Sequence, residues 1–132
     1  MPFKFEKLEI WKLAIDIADN IHTLTRNFPK EEMFSLTDQI RRSSRSVGAQ
    51  IAEAWAKRKY EKHFVSKLTD AHGEQLETLH WIEVALDCSY ISVDVAQTLL
   101  KDYALVGHML NSMIIKASTF CALIPKKNFE TQ

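Results

Sequence analysis

The chain holds 132 residues, 46% of them hydrophobic and 26% charged, with three glycines, three prolines and two cysteines. That is one domain's worth of sequence with its own core, too apolar for a disordered chain and too poor in cysteine for a disulfide scaffold. Basic and acidic side chains balance at 17 each, so the domain as a whole has no net field to draw a polyanion.

The first eleven residues carry Lys4, Glu6, Lys7 and Glu9, which is not the pattern of a secretory leader. The longest charge-free apolar stretch, Tyr103 to Ile115, includes His108, Asn111 and Ser112. It is shorter than the roughly 20 residues a membrane span requires. The expectation is a soluble, cytoplasmic protein without contact to a membrane. Cys88 and Cys121 show no metal-type spacing.

Pro2, Pro29 and Pro125 lie near the chain ends or between periodic segments, leaving long stretches open to helix. No Asn-Gly or Asp-Gly hairpin signal occurs. The first helix is predicted from about Phe5 to Asn27, with Ile10, Leu13, Ile17, Ile21, Leu24 and Phe28 recurring every three or four residues. Phe28 to Glu32 breaks it. Ser35, three residues before Asp38, then resembles a capping box, and the second helix runs to about Lys59. Its core seam reads Leu36, Ile40, Ser44, Val47, Ile51 and Trp55. A third helix covers about Glu61 to Tyr90, with Phe64, Leu68, Ala71, Gln75, Leu79, Ile82 and Leu86 inward. Ser92 caps a fourth, running to about Leu123, whose seam is Ala96, Leu99, Tyr103, Val106, Leu110, Met113, Ala117 and Phe120. Long helices with short connections pack antiparallel, so the expected fold is a single all-α, up-down-up-down four-helix bundle.

Two features exceed what an isolated bundle needs. Ser44, Gly48, Ala52 and Ala56 form a row of small residues that lets a neighbouring helix approach closely. The fourth helix also carries Leu100, Leu105, Met109, Ile114 and Ile115, and the first a second seam of Leu8, Trp11, Ile15 and Ala18. Apolar surface beyond one stripe marks an interface, and self-association is the expectation.

Charge is distributed unevenly. Between Met33 and Lys67 eight basic residues face three acidic ones, whereas Leu68 to Leu100 holds six acidic residues and no basic one. Mutual neutralisation of the second and third helices explains much of this. The alternative is a phosphate-binding strip of Arg41, Arg45, Lys57, Arg58 and Lys59, with Arg41 and Lys59 about 27 Å apart on one continuous helix. Such a strip would follow an RNA or DNA backbone without reading its sequence. Arg42 and Glu53, 11 residues apart in the chain, leave the helix along nearly one line. They are too far apart to pair with each other. Each is expected to be partly buried against a partner on another helix or subunit, in an architectural role.

Glu77-x-x-His80 matches the spacing of di-iron ligands in bundles, and Asp19-x-x-His22 resembles it, with Glu53 and Asp102 as further carboxylates. His80 shares its helix side with Glu77, Glu83 and Asp87, so solvated histidines are the reading. No metal, cofactor or catalytic group is expected.

Leu8-Glu9-Ile10-Trp11, Phe28-Pro29-Lys30-Glu31-Glu32, Leu36-Thr37-Asp38-Gln39-Ile40-Arg41-Arg42-Ser43, Gln50-Ile51-Ala52-Glu53-Ala54 and Cys88-Ser89-Tyr90-Ile91 occur in that order. Together they resemble the motifs of the four-helix-bundle family named for proteins encoded in intervening sequences of bacterial 23S ribosomal RNA. Departures fall at Ala54 and Ala56, where that family often has glycine, and at Lys59-Tyr60, where it often has Ser or Thr. The resemblance implies a cyclic homopentamer of such bundles whose biochemical role is largely unassigned. A related branch supplies the strongly basic accessory protein of diversity-generating retroelements, which binds nucleic acid and a reverse transcriptase. The neutral charge here favours the first branch.

Overall fold

The computed structural model describes residues 4–122. Four long α-helices carry the chain: α1 (Glu9–Thr25), α2 (Leu36–Ala56), α3 (Glu61–Asp87) and α4 (Val93–Ile115), followed by the short α5 (Ala117–Cys121). Single 3-10 turns at Phe5–Lys7 and Lys30–Glu32 precede α1 and α2. Among the described residues there is no strand, and no helix is long and apolar enough to cross a membrane.

Contacts across the helices fix their directions. Residues near the end of α1 meet the start of α2 (Thr25 with Arg41), and Trp11 and Ile15 meet Gly48 further along it. Likewise Arg42 meets Glu74 and Glu77, whereas Gln50 meets Lys67. Gln75 of α3 bonds Tyr103 of α4, while Phe64 lies against Phe120 beyond its far end. Each helix therefore runs antiparallel to the one before, and contact between α1 and α4 closes the bundle.

The core follows the helical periodicity. Leu36, Ile40, Ser44, Val47, Ile51 and Trp55 of α2 are all buried, as are Ala96, Leu99, Tyr103, Val106, Leu110 and Met113 of α4. On α3 the seam runs through Thr78 and Ala85 instead of Leu79 and Leu86, which are only half-buried. Thr78 is admitted because its hydroxyl is satisfied, lying 2.8 Å from both the Ser43 hydroxyl and the Glu74 carbonyl. Gln75 is buried too, and its amide donates to the Tyr103 carbonyl at 2.8 Å. Gly107 makes room for it: a Cβ there would stand 2.9 Å from Gln75 Nε2.

The helix ends depart from the expected ones. Ser35 does not cap α2 through its side chain. Its hydroxyl instead donates to Glu32 at 2.6 Å, and the Glu32 carboxylate reaches forward to the Leu36 amide at 3.4 Å. A carboxylate carried over the helix start by the 3-10 turn is the stronger acceptor. The same carboxylate accepts the Tyr90 hydroxyl at 2.9 Å, tying the first interhelical loop to the last. Bonds from Ser35 and Tyr90 hold the Glu32 carboxyl below its ordinary pKa. Ser92 caps α4 as expected, accepting from the Val95 amide at 3.1 Å.

Helix α3 stops at Asp87 with Ser89 in the left-handed region at φ 62°, the Tyr90 amide bonding the Ala85 carbonyl and the Ser89 amide the Leu86 carbonyl. That is a Schellman closure without glycine. The second helix ends at Ala56, three residues short of the expected Lys59. The fourth is interrupted at Lys116, and α5 then sets Phe120 edge-on to Trp55, with ring centroids 6.1 Å apart. The expected end at Leu123 lies outside the described residues.

The second seam of the first helix is not free surface. Leu8 and Ala18 are buried, and Trp11 and Ile15 lie over Gly48, whose added Cβ would stand 3.1 Å from Ile15 Cδ1. The small-residue row thus receives α1. On α4, Leu100, Met109 and Ile114 also pack on the core, but Leu105 is 51% and Ile115 73% exposed.

Candidate functional site

The basic residues of α2 separate into groups with different surroundings. Arg42 turns to α3, donating to Glu74 at 3.0 Å and to Glu77. The indole of Trp81 also donates to Glu77, at 3.1 Å. Glu53 pairs with Lys67 of α3 at 2.6 Å, and Lys67 donates to Gln50 at 3.2 Å. Both α2 residues therefore bridge to the neighbouring helix, but neither is buried: the Arg42 and Glu53 side chains remain 48% and 54% exposed. Because the pairs sit at the rim of the α2–α3 seam, water screens them and each is a modest tie.

The expected five-residue strip does not form one face. With α2 ended at Ala56, Lys57, Arg58 and Lys59 belong to the turn into α3. Arg58 folds back there, its Nε donating to the Trp55 carbonyl at 2.8 Å and its guanidinium lying 3.6 Å above the Trp55 ring. Its Nη1 is buried without a hydrogen-bond partner among the described residues. This arginine covers the end of the core and is not presented outward.

Arg41 and Arg45 lean the other way, onto α1. Arg41 Nε donates to the Thr25 hydroxyl at 2.7 Å, and that hydroxyl donates to the His22 carbonyl at 2.9 Å. Arg45 Nη2 lies 3.0 Å from His22 Nδ1. Arginine has no acceptor, so this bond requires an unprotonated Nδ1 and puts the imidazole proton on Nε2. Burial and the charges of Arg41, Arg45 and Arg26 draw the His22 pKa below its ordinary value, with Asp19 opposing. Among the described residues none of Arg26, Arg41 and Arg45 pairs with a carboxylate. The outcome is a pair of guanidiniums, Arg41 and Arg45, on the seam between two helices beside a neutral imidazole that also feels the charge of Arg26. Unneutralised guanidiniums at a surface are suited to phosphate oxygens.

Sequence reasoning placed Arg41 and Arg45 in a site but missed Arg26 and His22. The signal was available. Antiparallel helices joined by a short loop lay the last turns of α1 against the first turns of α2, which brings Thr25 and His22 into the neighbourhood of Arg41 and Arg45. The histidines proposed against metal chemistry also find other surroundings: Glu77 faces Arg42 and Trp81, and His80 is exposed with its ring against Trp81 at 4.7 Å. Among the described residues no group of three His, Cys, Asp or Glu is placed to hold a metal ion.

A family model described as 23S rRNA-intervening sequence protein matches residues 6–112, the whole of α1 to α3 and most of α4. The chain belongs to the 23S rRNA-intervening sequence protein family. A solved structure supports the placement: a protein of unknown function from the S23 ribosomal protein family of Bacteroides thetaiotaomicron is 27% identical, with a TM-score of 0.70. The match covers 80% of this chain and 97% of that one. No curated protein matches the chain. The family match includes Arg26, Arg41, Arg45 and His22, so the cluster lies within the part of the chain shared with the family model.

Proposed function

We propose that the chain is a non-enzymatic, self-associating cytoplasmic scaffold that holds a nucleic-acid backbone at Arg26, Arg41 and Arg45. The observation that carries this reading is that Arg41 and Arg45 lie together at the α1–α2 seam and that, among the described residues, neither they nor Arg26 pairs with a carboxylate. The family name points toward ribosomal RNA as the class of nucleic acid to try first. Self-association is supported by Leu105 and Ile115, large apolar side chains exposed on one helix. The order of five follows from the family resemblance, and a closed ring would repeat the arginine cluster around its circumference. Repetition compensates for the neutral charge of the single chain.

Binding of a fluorescein-labelled 20-nucleotide RNA, followed by anisotropy at several salt concentrations, tests the first half. The chain is expected to bind with an affinity that falls steeply with salt. Replacing all three arginines with glutamine should flatten the logarithmic salt slope by about 2, at about 0.7 per lost single-strand phosphate contact. An unchanged slope rejects the assignment. Sedimentation equilibrium tests the second half: the wild-type chain is expected as an oligomer that Leu105→Glu or Ile115→Glu weakens, and a monomeric wild type contradicts it.

Exposure of Phe34, at 90%, and of its neighbour Met33 favours a second reading, a protein-only interaction module. That reading predicts no salt-sensitive RNA binding at all. A retroelement accessory role belongs to the first reading, and co-purification with a reverse transcriptase would be its mark.

A further inference from the structure

The turn between α2 and α3 carries a surface that the arginine cluster does not use. Tyr60 stands at the head of α3 with 56% of its surface exposed. Its ring lies 5.4 Å from that of His63 and tilted by 51°, and Lys59 Nζ sits 5.7 Å from the ring centre. An open groove of about 890 Å³ runs along this turn, lined by Lys59 to His63 with Val65 and Ser66. Lys62 in that lining and Lys57 beside it are exposed, and Glu61 is the one acidic residue from Lys57 to His63.

An exposed aromatic face flanked by cations needs a ligand that offers both a flat ring and a negative charge. Unpaired nucleotides do so: bases stack on the aromatic ring while phosphates meet the lysines. A duplex cannot, because its bases are already stacked on one another. We infer that the Lys57–His63 turn is a binding site for single-stranded nucleic acid, in which Tyr60 stacks on a base and Lys57 and Lys62 hold the adjoining phosphates.

The site is independent of the arginine cluster. Arg45 and Lys57 are separated by most of a helix, about 18 Å at the α-helical rise, and no residue is shared. Stacking is tolerant of base identity, so sequence preference is expected to be slight.

The test compares labelled 12-nucleotide oligo-uridine with a blunt RNA duplex of the same length, using the full chain. Oligo-uridine should bind more tightly than the duplex. Tyr60→Ala should weaken oligo-uridine binding about 5- to 100-fold, while Tyr60→Phe, which keeps the ring, should stay within about 2-fold. The side chain is exposed, and an unchanged circular dichroism spectrum verifies that the alanine variant folds. The triple glutamine variant of Arg26, Arg41 and Arg45 should retain the preference for single strands even if its overall affinity falls. That separates this site from the arginine reading. Equal binding of duplex and single strand, or an unaffected Tyr60→Ala variant, overturns the inference.

Discussion

Phe64→Ala is expected to destabilise the fold by about 3–5 kcal/mol, the cost of truncating a fully buried aromatic side chain. Phe64 lies in the first turn of α3 with none of its surface exposed, and its ring centroid is 6.2 Å from that of Phe120. Phe120 in turn meets Trp55, and the Arg58 guanidinium covers Trp55 from outside. Removing the ring would leave a void beneath α5, which has only five residues and little of its own to hold it. A loss of this size is a large part of the 5–15 kcal/mol that keeps a typical domain folded. Urea unfolding at matched protein concentration reads it as a lower midpoint with an unchanged slope. Phe64→Leu, which refills most of the volume, should retain most of the stability. Equal stability of the alanine variant would mean that this end of the bundle is not packed as described.

The second large effect is a contrast between two glycines, both within helices. Alanine normally stabilises a helix by about 1 kcal/mol over glycine. At Gly73 an added Cβ meets nothing within 4 Å, so Gly73→Ala should stabilise by about 0.5–1 kcal/mol. At Gly107 the same atom would stand 2.9 Å from Gln75 Nε2 and 3.1 Å from its Oε1. Gln75 is buried, and its amide must leave the Tyr103 carbonyl to make room. A lost hydrogen bond with a buried polar group left over outweighs the helix preference. Gly107→Ala is therefore expected to destabilise by about 1–3 kcal/mol. Thermal melts of the two variants should move in opposite directions, and a common sign would refute the packing argument at Gln75.

Much of this arrangement was legible in the sequence because helical periodicity reports burial directly. On α2 and along α4 as far as Met113, the apolar residues at three- and four-residue spacing are the ones in the core. The reading slipped on α3, where hydrophobicity favours Leu79 and Leu86 over Thr78 and Ala85. Thr78 is acceptable inside only because Ser43, 35 residues away, receives it, and such a partner leaves no local trace. The apparent surplus of apolar residues on α1 failed for a related reason. Trp11 and Ile15 use the gap over Gly48, so two features read separately were halves of one contact.

The basic strip failed differently. Composition located the cations, but their grouping depended on where α2 stops. Lys57 to Lys59 became a turn, Arg58 folded onto Trp55, and Arg41 and Arg45 joined residues of α1. No periodicity within α2 encodes those partners. The loop between α1 and α2 does, once the antiparallel direction is known.

The central claim is that a phosphate backbone occupies the cluster of Arg26, Arg41 and Arg45, and His22 is a reporter placed within it. In the free protein burial and the neighbouring arginine charges hold its pKa below the ordinary histidine value. The unfolded chain thus takes up this proton before the folded one, and His22 weakens the fold as pH falls through the unfolded value. A bound polyanion would offset the three guanidinium charges, making the imidazolium easier to form. The decisive measurement is a pH titration of the His22 ring by two-dimensional nitrogen–proton NMR, with and without saturating 20-nucleotide RNA. The free protein should show the Nε2–H tautomer and a midpoint below that of an ordinary histidine, and RNA should move that midpoint upward. A His22 midpoint that stays in place with RNA in excess would contradict the account.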